Sequence, residues 1–252
     1  MLDDRSPGRK HYLIQQVRVL TVLLLASREA WGMHPLWTDD GGTMGTAGVE
    51  VELSTSVGLQ EPGVPRAGWQ HAAVLHVGLL DNVDLGLTVG LLADIDGADW
   101  SFRAQAPAVE LKARLIDGGG STPAGAVRVT YIPGTVHQVE ALGIATWERS
   151  PLMLSVNLGA QVGVPETGSA LGSLTGAAAV GYSVWRTVLL MGEAVWHYPP
   201  GAAATVDMLV GAAWEVAPSR WLSLGTGMQV DGGGVVGWTV TVAATAGLDP
   251  WE

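Results

Sequence analysis

The chain has 252 residues, 48% of them hydrophobic and only 15% charged, with 35 glycines, no cysteine and a formal net charge of −11. Charged content near a quarter is usual for soluble domains, so this chain has too few charges to coat a water-facing exterior. The negative charge excludes nucleic acid and an anionic membrane surface as electrostatic partners, and the lack of Cys excludes disulfide and thiolate chemistry.

The first 32 residues read as an export signal. Arg5, Arg9, Lys10 and Arg18 precede or flank the apolar run "VLTVLLLA", which is too short to span a bilayer as a helix. "AWG" (Ala30–Gly32) offers small residues at a cleavage site. Residues 33–47 follow as a periplasmic lead-in or a plug segment; its stretch "HPLWTDDGGTMG" (34–45) has Thr38, Asp39 and Asp40 in a Gly-rich turn where neither helix nor strand is favoured. The two carboxylates are expected to cap turns, with cation binding as the other reading.

From residue 48 to 252 the chain alternates with period two, the pattern of strands with one apolar and one polar face. In "VDLGLTVGL" Leu85, Leu87 and Val89 alternate with Asp84, Gly86 and Thr88. "VELKARL", "LMLSVNLGAQV" and "LSLGTGMQV" repeat the pattern. Turn signals such as "DN", "DGGGST", "IPGT", "ERSP", "PETGS" and "YPPG" separate the runs. Strands are expected over 48–57, 70–80, 83–92, 105–116, 124–132, 138–147, 152–163, 174–184, 187–198, 203–216, 221–230 and 235–248, about twelve in all. Runs of about ten residues suit a tilted membrane crossing better than a soluble sheet.

Two all-β architectures accommodate such hairpins: a soluble β-sandwich and a single antiparallel up-and-down transmembrane β-barrel. Sparse charge and few aromatic core anchors favour the barrel, with Val and Leu towards lipid and Gly, Thr, Ser and Asn lining a wet lumen. Trp69, Trp100, Trp147, Trp185, Trp196 and Trp221 lie at strand ends, where an aromatic girdle is expected. Strand parity puts Glu50, Glu52, Glu110, Lys112, Arg114, Arg128, Glu140, Asn157, Gln161, Glu193, Asp207, Glu215 and Gln229 on polar faces. These are the candidates for the lumen and a substrate path, either pairing among themselves or lining a passage.

No catalytic residue, metal site or cofactor is expected. His71 and His76 are five apart and would face opposite sides of a strand. Ser155, Asn157 and His197 lack any nucleophile motif, and "DGGGST" lacks the lysine and following helix of a phosphate loop.

The order of several motifs carries a resemblance. "HPLWTDDGGTMGTAGVEVEL", "VGLLDNVDLGLTVGLL", "ELKARLIDGGG", "VRVTYIPGT", "SVNLGAQVG" and "LLMGEAVW" resemble, in sequence, segments of the outer-membrane barrel family named for the meta-pathway of phenol degradation. The resemblance spans most of residues 34–248. Its C-terminus departs from the aromatic ending common in bacterial barrels, with Trp251 displaced by Pro250 and Glu252. The resemblance implies an outer-membrane protein of a Gram-negative bacterium that partners lipid and the barrel-assembly machinery. It also implies passive transport of small hydrophobic or aromatic compounds and no catalysis. An orphan barrel with a filled lumen and a secreted β-sandwich binding module are the other functional readings.

Overall fold

A computed structural model describes residues 40–60, 66–96, 99–119, 121–165, 171–199, 204–231 and 234–248. The expected signal, Thr38, Asp39 and the C-terminal Trp251 lie outside these residues. Among the described residues the structure is strand and turn with no helix.

Thirteen strands follow in order: β1 (Val49–Gln60), β2 (Arg66–Leu80), β3 (Val83–Asp96), β4 (Asp99–Ala104), β5 (Ala108–Ile116), β6 (Ala124–Ile132), β7 (Val136–Arg149), β8 (Leu152–Pro165), β9 (Leu171–Trp185), β10 (Val188–Tyr198), β11 (Thr205–Ala217), β12 (Arg220–Asp231) and β13 (Gly234–Leu248). All neighbours pair antiparallel, and β1 pairs with both β2 and β13, so the sheet closes on itself. Closed through β1, β2, β3 and β5–β13, with only the short β4 paired on one side, the ring is a barrel, which rules out the sandwich.

The barrel has twelve staves because β4 and β5 share one. Leu91 of β3 pairs with Ala104 and Thr88 with Ala108, so Val89 and Gly90 oppose Gln105, Ala106 and Pro107. One extra residue makes a bulge, and Pro107 has no N–H to give the ladder. Gln105 N–H still donates to Gly90 O at 2.9 Å. A Cβ on Gly90 would sit 1.9 Å from Gln105 Oε1, so the glycine makes room for the bulge. The sequence pattern starts a strand at residue 105, inside the bulge, and leaves Asp99–Ala104 outside any strand, because nothing in the alternation marks the extra residue.

Turns distinguish the two ends. At one end residues 81–82, 150–151, 186–187 and 218–219 link strands in two-residue turns. Short turns at one rim are a mark of outer-membrane barrels. The same end also carries the seven-residue link 117–123, while at the other end four of the six connections run to three residues or more.

The burial pattern is inside-out relative to a soluble protein. Leu85, Leu87, Val89, Leu111, Val129, Leu154, Leu158, Leu190, Val210, Leu224 and Val240 are exposed on the outer face, whereas Glu50, Glu52, Asp84, Glu193 and Asp207 are buried. Water-facing walls carry polar side chains, so an apolar exterior points to a lipid-facing band. Trp147, Trp185 and Trp214 are exposed near the short-turn end, and Trp69, Trp100, Trp196 and Trp238 near the other. Trp214 pairs with Val188, eight residues from Trp196 on β10. That separation is about 26 Å along the strand and about 20 Å along the axis at a tilt near 40°. It matches the spacing of two aromatic girdles around an apolar band.

Trp221 breaks the girdle pattern. It is 9% exposed and points into the barrel, in a cluster with Ala179, Met191, Leu209 and Ala213, against which Met153 and Leu189 pack. A second inner cluster joins Ala126, Leu142 and Ile144. The inner wall is not polar throughout: from β9 to β11 Ala177, Ala179, Met191, Val195, Leu209 and Ala213 stand among polar residues such as Glu193 and Asp207. Strand-end position alone did not fix the face, because a girdle Trp and a lumen Trp differ only by one residue in register.

Candidate functional site

The lumen has two unlike walls, and the polar one is organised around His76. This residue on β2 faces Glu50 of β1 in register. Its Nδ1 lies 3.4 Å from Glu50 Oε1, and its Nε2 lies 3.4 Å from Glu110 Oε1 on β5. β3 lies between β2 and β5, yet the imidazole crosses it. It can do so because Gly86 is the residue opposite His76: a Cβ there would come within 2.7 Å of His76 Cδ2 and 3.1 Å of Glu110 Cβ. Removing that side chain lets one ring bridge two carboxylates from non-adjacent staves.

The chain of charges continues round the wall. Arg128 Nε of β6 lies 3.5 Å from Glu110 Oε2, and Arg128 Nη2 lies 3.4 Å from Glu140 Oε2 of β7. Gln161 of β8 pairs in register with Glu140; its Nε2 donates to Gln138 Oε1 at 3.1 Å. Acidic and basic side chains therefore alternate from Glu50 through His76, Glu110 and Arg128 to Glu140. Each pair is partly shielded from water, where charge-assisted contacts gain strength over exposed ones.

The lead-in from Asp40 to Gly48 crosses this wall at the short-turn end. Asp40 Oδ1 accepts the Gly42 N–H at 2.6 Å and meets Lys112 Nζ of β5 at 3.6 Å. Gly41 N–H donates to Thr146 Oγ1 of β7 at 2.9 Å, and Thr146 shares a 2.9 Å hydrogen bond with Ser155 of β8. A Cβ on Gly41 would lie 2.9 Å from Ala124 Cβ, so only glycine allows this approach to β6. Met44 N–H donates to both Asp84 carboxylate oxygens at 3.1 Å. The segment thus touches β3, β5, β6 and β7 from inside.

Close backbone contacts bring it to β1. Gly45 (φ 75°) and Ala47 (φ 62°) take left-handed conformations before the first strand. Ala47 N–H donates to Gly78 O at 2.8 Å, and a Cβ on Gly78 would overlap Gly45 O. Asp81, in the turn after β2, accepts the Thr46 hydroxyl and N–H. These hydrogen bonds hold its carboxyl below the usual carboxylate range, with Arg114 adding a smaller attraction.

The remaining residues read from the sequence fall into separate places. Arg114 sits at the short-turn rim, with Nε 3.0 Å from Asp117 Oδ1 and Nη2 donating to Asp81 O. It is not part of the His76 chain. Glu52 is buried on β1, two residues beyond Glu50. Glu193 of β10 is buried between Ala179 and Leu209 in register, beside the apolar cluster. Asp207 of β11 lies 3.3 Å from His197 Nε2. Asn157 of β8 is 2% exposed, flanked in register by Ile144 and Ala177, and its Oδ1 has no hydrogen-bond partner among the described residues. Glu215 pairs with Trp221 and Gln229 with Asp207 in register.

Sequence reasoning missed His76, because its partners are 26 and 34 residues away on other staves. The one available signal was Gly86 on a polar face beside two inward acids. It also missed the apolar wall. In "VDMLVGAAWEV" Asp207 and Glu215 mark the inner face, but Leu209 and Ala213 share it, so the polar parity did not show the apolar patch between them.

No family model matches the chain, and no curated protein matches it in sequence. Solved structures do match in fold. A crystal structure of an outer membrane channel from Pseudomonas putida F1 aligns with a TM-score of 0.64 at 9% identity, over 84% of this chain and 100% of that one. The NanC porin aligns with a TM-score of 0.58 at 6% identity, and the KdgM porin with 0.53 at 10%, each over 77% of this chain and 98% of the other. At such identities the likeness is one of fold, and the fold is that of outer-membrane β-barrel channels.

Proposed function

We propose that the chain is an outer-membrane channel, allied to the meta-pathway phenol-degradation family, through which small hydrophobic or aromatic solutes pass passively. The single observation that carries this reading is the two-walled lumen inside an inside-out barrel. The wall of Ala177, Ala179, Met191, Val195, Leu209 and Ala213 offers an apolar track, and the wall around His76 keeps the opposite side polar. Outside, the exposed Val and Leu band and its two tryptophan girdles suit a lipid setting. The short-turn end and the lead-in would face the periplasm, as short turns do in such barrels.

A narrow path follows from how tightly the inner side chains are covered. Glu50, Glu52, Asn157, Ser155 and Thr245 are all buried although they face the lumen. That burial also favours a second reading, a barrel whose lumen is filled and does not conduct. Planar-bilayer recording separates the two. Small, steady currents together with uptake of an aromatic hydrocarbon by a porin-deficient host support the channel, and a folded barrel with neither supports the filled lumen. Recovery of the protein from the soluble periplasm without detergent would sink both.

A further inference from the structure

Five carboxylates, Glu50, Glu52, Asp84, Glu193 and Asp207, are buried on the inner wall to less than a tenth of their surface. No Lys or Arg among the described residues is buried to that degree. The inner cations already meet carboxylates: Lys112 meets Asp40, Arg114 meets Asp117, and Arg128 meets Glu110 and Glu140. With Glu110 and Glu140 these inward-facing acids number seven, against Lys112, Arg128 and the His76 imidazole on the wall and Arg114 at the rim. A confined surface of one sign raises the local concentration of the opposite ion and depletes its own. Such rings are how pores select by charge.

A second observation points the same way and does not involve charge. Asn157 Oδ1 is a buried carbonyl without a partner among the described residues, set between Ile144 and Ala177 in register. A buried acceptor left unsatisfied is costly, so it marks a place where a donor from outside would be gained. Its register neighbours are apolar, which suits a donor carried on an apolar body.

We propose that the lumen passes small apolar solutes bearing a hydrogen-bond donor, cationic or neutral, and rejects carboxylate anions, with Asn157 Oδ1 receiving the donor. This rests on the channel reading above and names the class of solute it admits. A wall with an excess of acids disfavours a carboxylate, whereas an ammonium or hydroxyl group meets acceptors on it. The apolar wall carries the rest of the solute, and Asn157 supplies a point of registration within it.

The test uses the full mature chain, shown to be folded by heat-modifiable gel mobility, in planar bilayers under a salt gradient. The reversal potential should report a K⁺ over Cl⁻ preference of about tenfold. Replacing K⁺ with benzylammonium should keep current flowing, while replacing Cl⁻ with benzoate should leave the reversal potential cationic. Glu193→Gln with Asp207→Asn should lower the K⁺ over Cl⁻ ratio to about threefold. Asn157→Leu should reduce benzylammonium relative to K⁺ by roughly tenfold without changing the K⁺ over Cl⁻ ratio, and Asn157→Ser, which keeps an acceptor, should restore most of it. If Asn157→Leu fails to fold, the wild-type ion substitutions and Asn157→Ser still decide. Currents that favour chloride or benzoate would overturn the selectivity and leave the channel standing. An unchanged benzylammonium ratio in folded Asn157→Leu would remove Asn157 from the path. A folded barrel with no current at all overturns the channel reading and this proposal with it.

Discussion

Leu87→Arg and Thr88→Arg test the assignment of faces with two neighbouring residues of β3. Leu87 is 43% exposed on the outer face, and Thr88 is half-buried on the inner one. Leu87 stands four residues beyond Val83, the first of the strand, so it lies about 13 Å along it. At a tilt near 40° that is about 10 Å above the short-turn rim, close to the middle of an apolar band about 25 Å tall. An arginine there should destabilise the barrel by about 2–4 kcal/mol, or roughly 30- to 700-fold in the folding equilibrium. Thr88 pairs with Ala108, and Glu110 is the next residue of β5 on that face. An arginine at Thr88 would therefore find a carboxylate in a wet lumen and should cost under about 1 kcal/mol. Reversible urea unfolding in lipid vesicles, followed by tryptophan fluorescence, measures both. Equal costs at the two positions, or the larger cost at Thr88, would refute the orientation of the whole strand.

Other outcomes follow from the lumen. Gly86→Ala should push the His76 ring off its bridge and destabilise the barrel by about 1 kcal/mol, and His76→Ala should erase most of that cost; additive effects in the double variant would break the proposed contact. Arg128→Gln should raise single-channel conductance more than Arg114→Gln, because Arg128 links two inner carboxylates while Arg114 serves the rim; the reverse order would count against the His76 chain as the constriction. Asp81 is depressed in the folded state, so its hold on Thr46 is fully present above the ordinary carboxylate range and is lost as pH falls through the lowered value. Protease cleavage near Gly45 should therefore rise on acidification below about pH 4, and Asp81→Asn should cleave readily at every pH; an acid-insensitive wild type would argue against this tether.

Most of the staves were legible because their outer face needs long, branched apolar residues while the inner face tolerates Gly, Thr or acid. β3, β5 and β8 show that contrast cleanly: their faces agree with the alternation, while β3 and β8 run on to Asp96 and Pro165 and β5 starts at Ala108 rather than at residue 105. The legible signal fades where both faces are apolar. Leu209 faces in and Met208 out, and no side-chain class separates them. Trp221 misled for the same reason: tryptophan at a strand end suits a lipid interface and a lumen cluster equally. The bulge at Gln105–Pro107 was hidden because an added residue changes register, not composition. Contacts that define the polar wall, such as Glu50 to His76 to Glu110, depend on closure bringing three staves together. The individual residues could be placed on a face from the sequence, but their meeting could not.

Closure also imposes an order on events in time. The twelve paired positions between Val49–Gln60 and 237–248 join the first strand to the last. Until the final strand arrives, β1 and the newest strand each present a row of unpaired N–H and C=O groups, the template on which chains aggregate. Any arrangement short of that pairing is an open sheet with an oily outer face, and local hairpins do not seal it, because the sealing contact has the greatest sequence separation in the fold. The chain must be kept apart from its own copies for the whole interval between synthesis and the last pairing. Its survival in an aqueous compartment is set by how long that seam stays open rather than by the stability of the finished barrel.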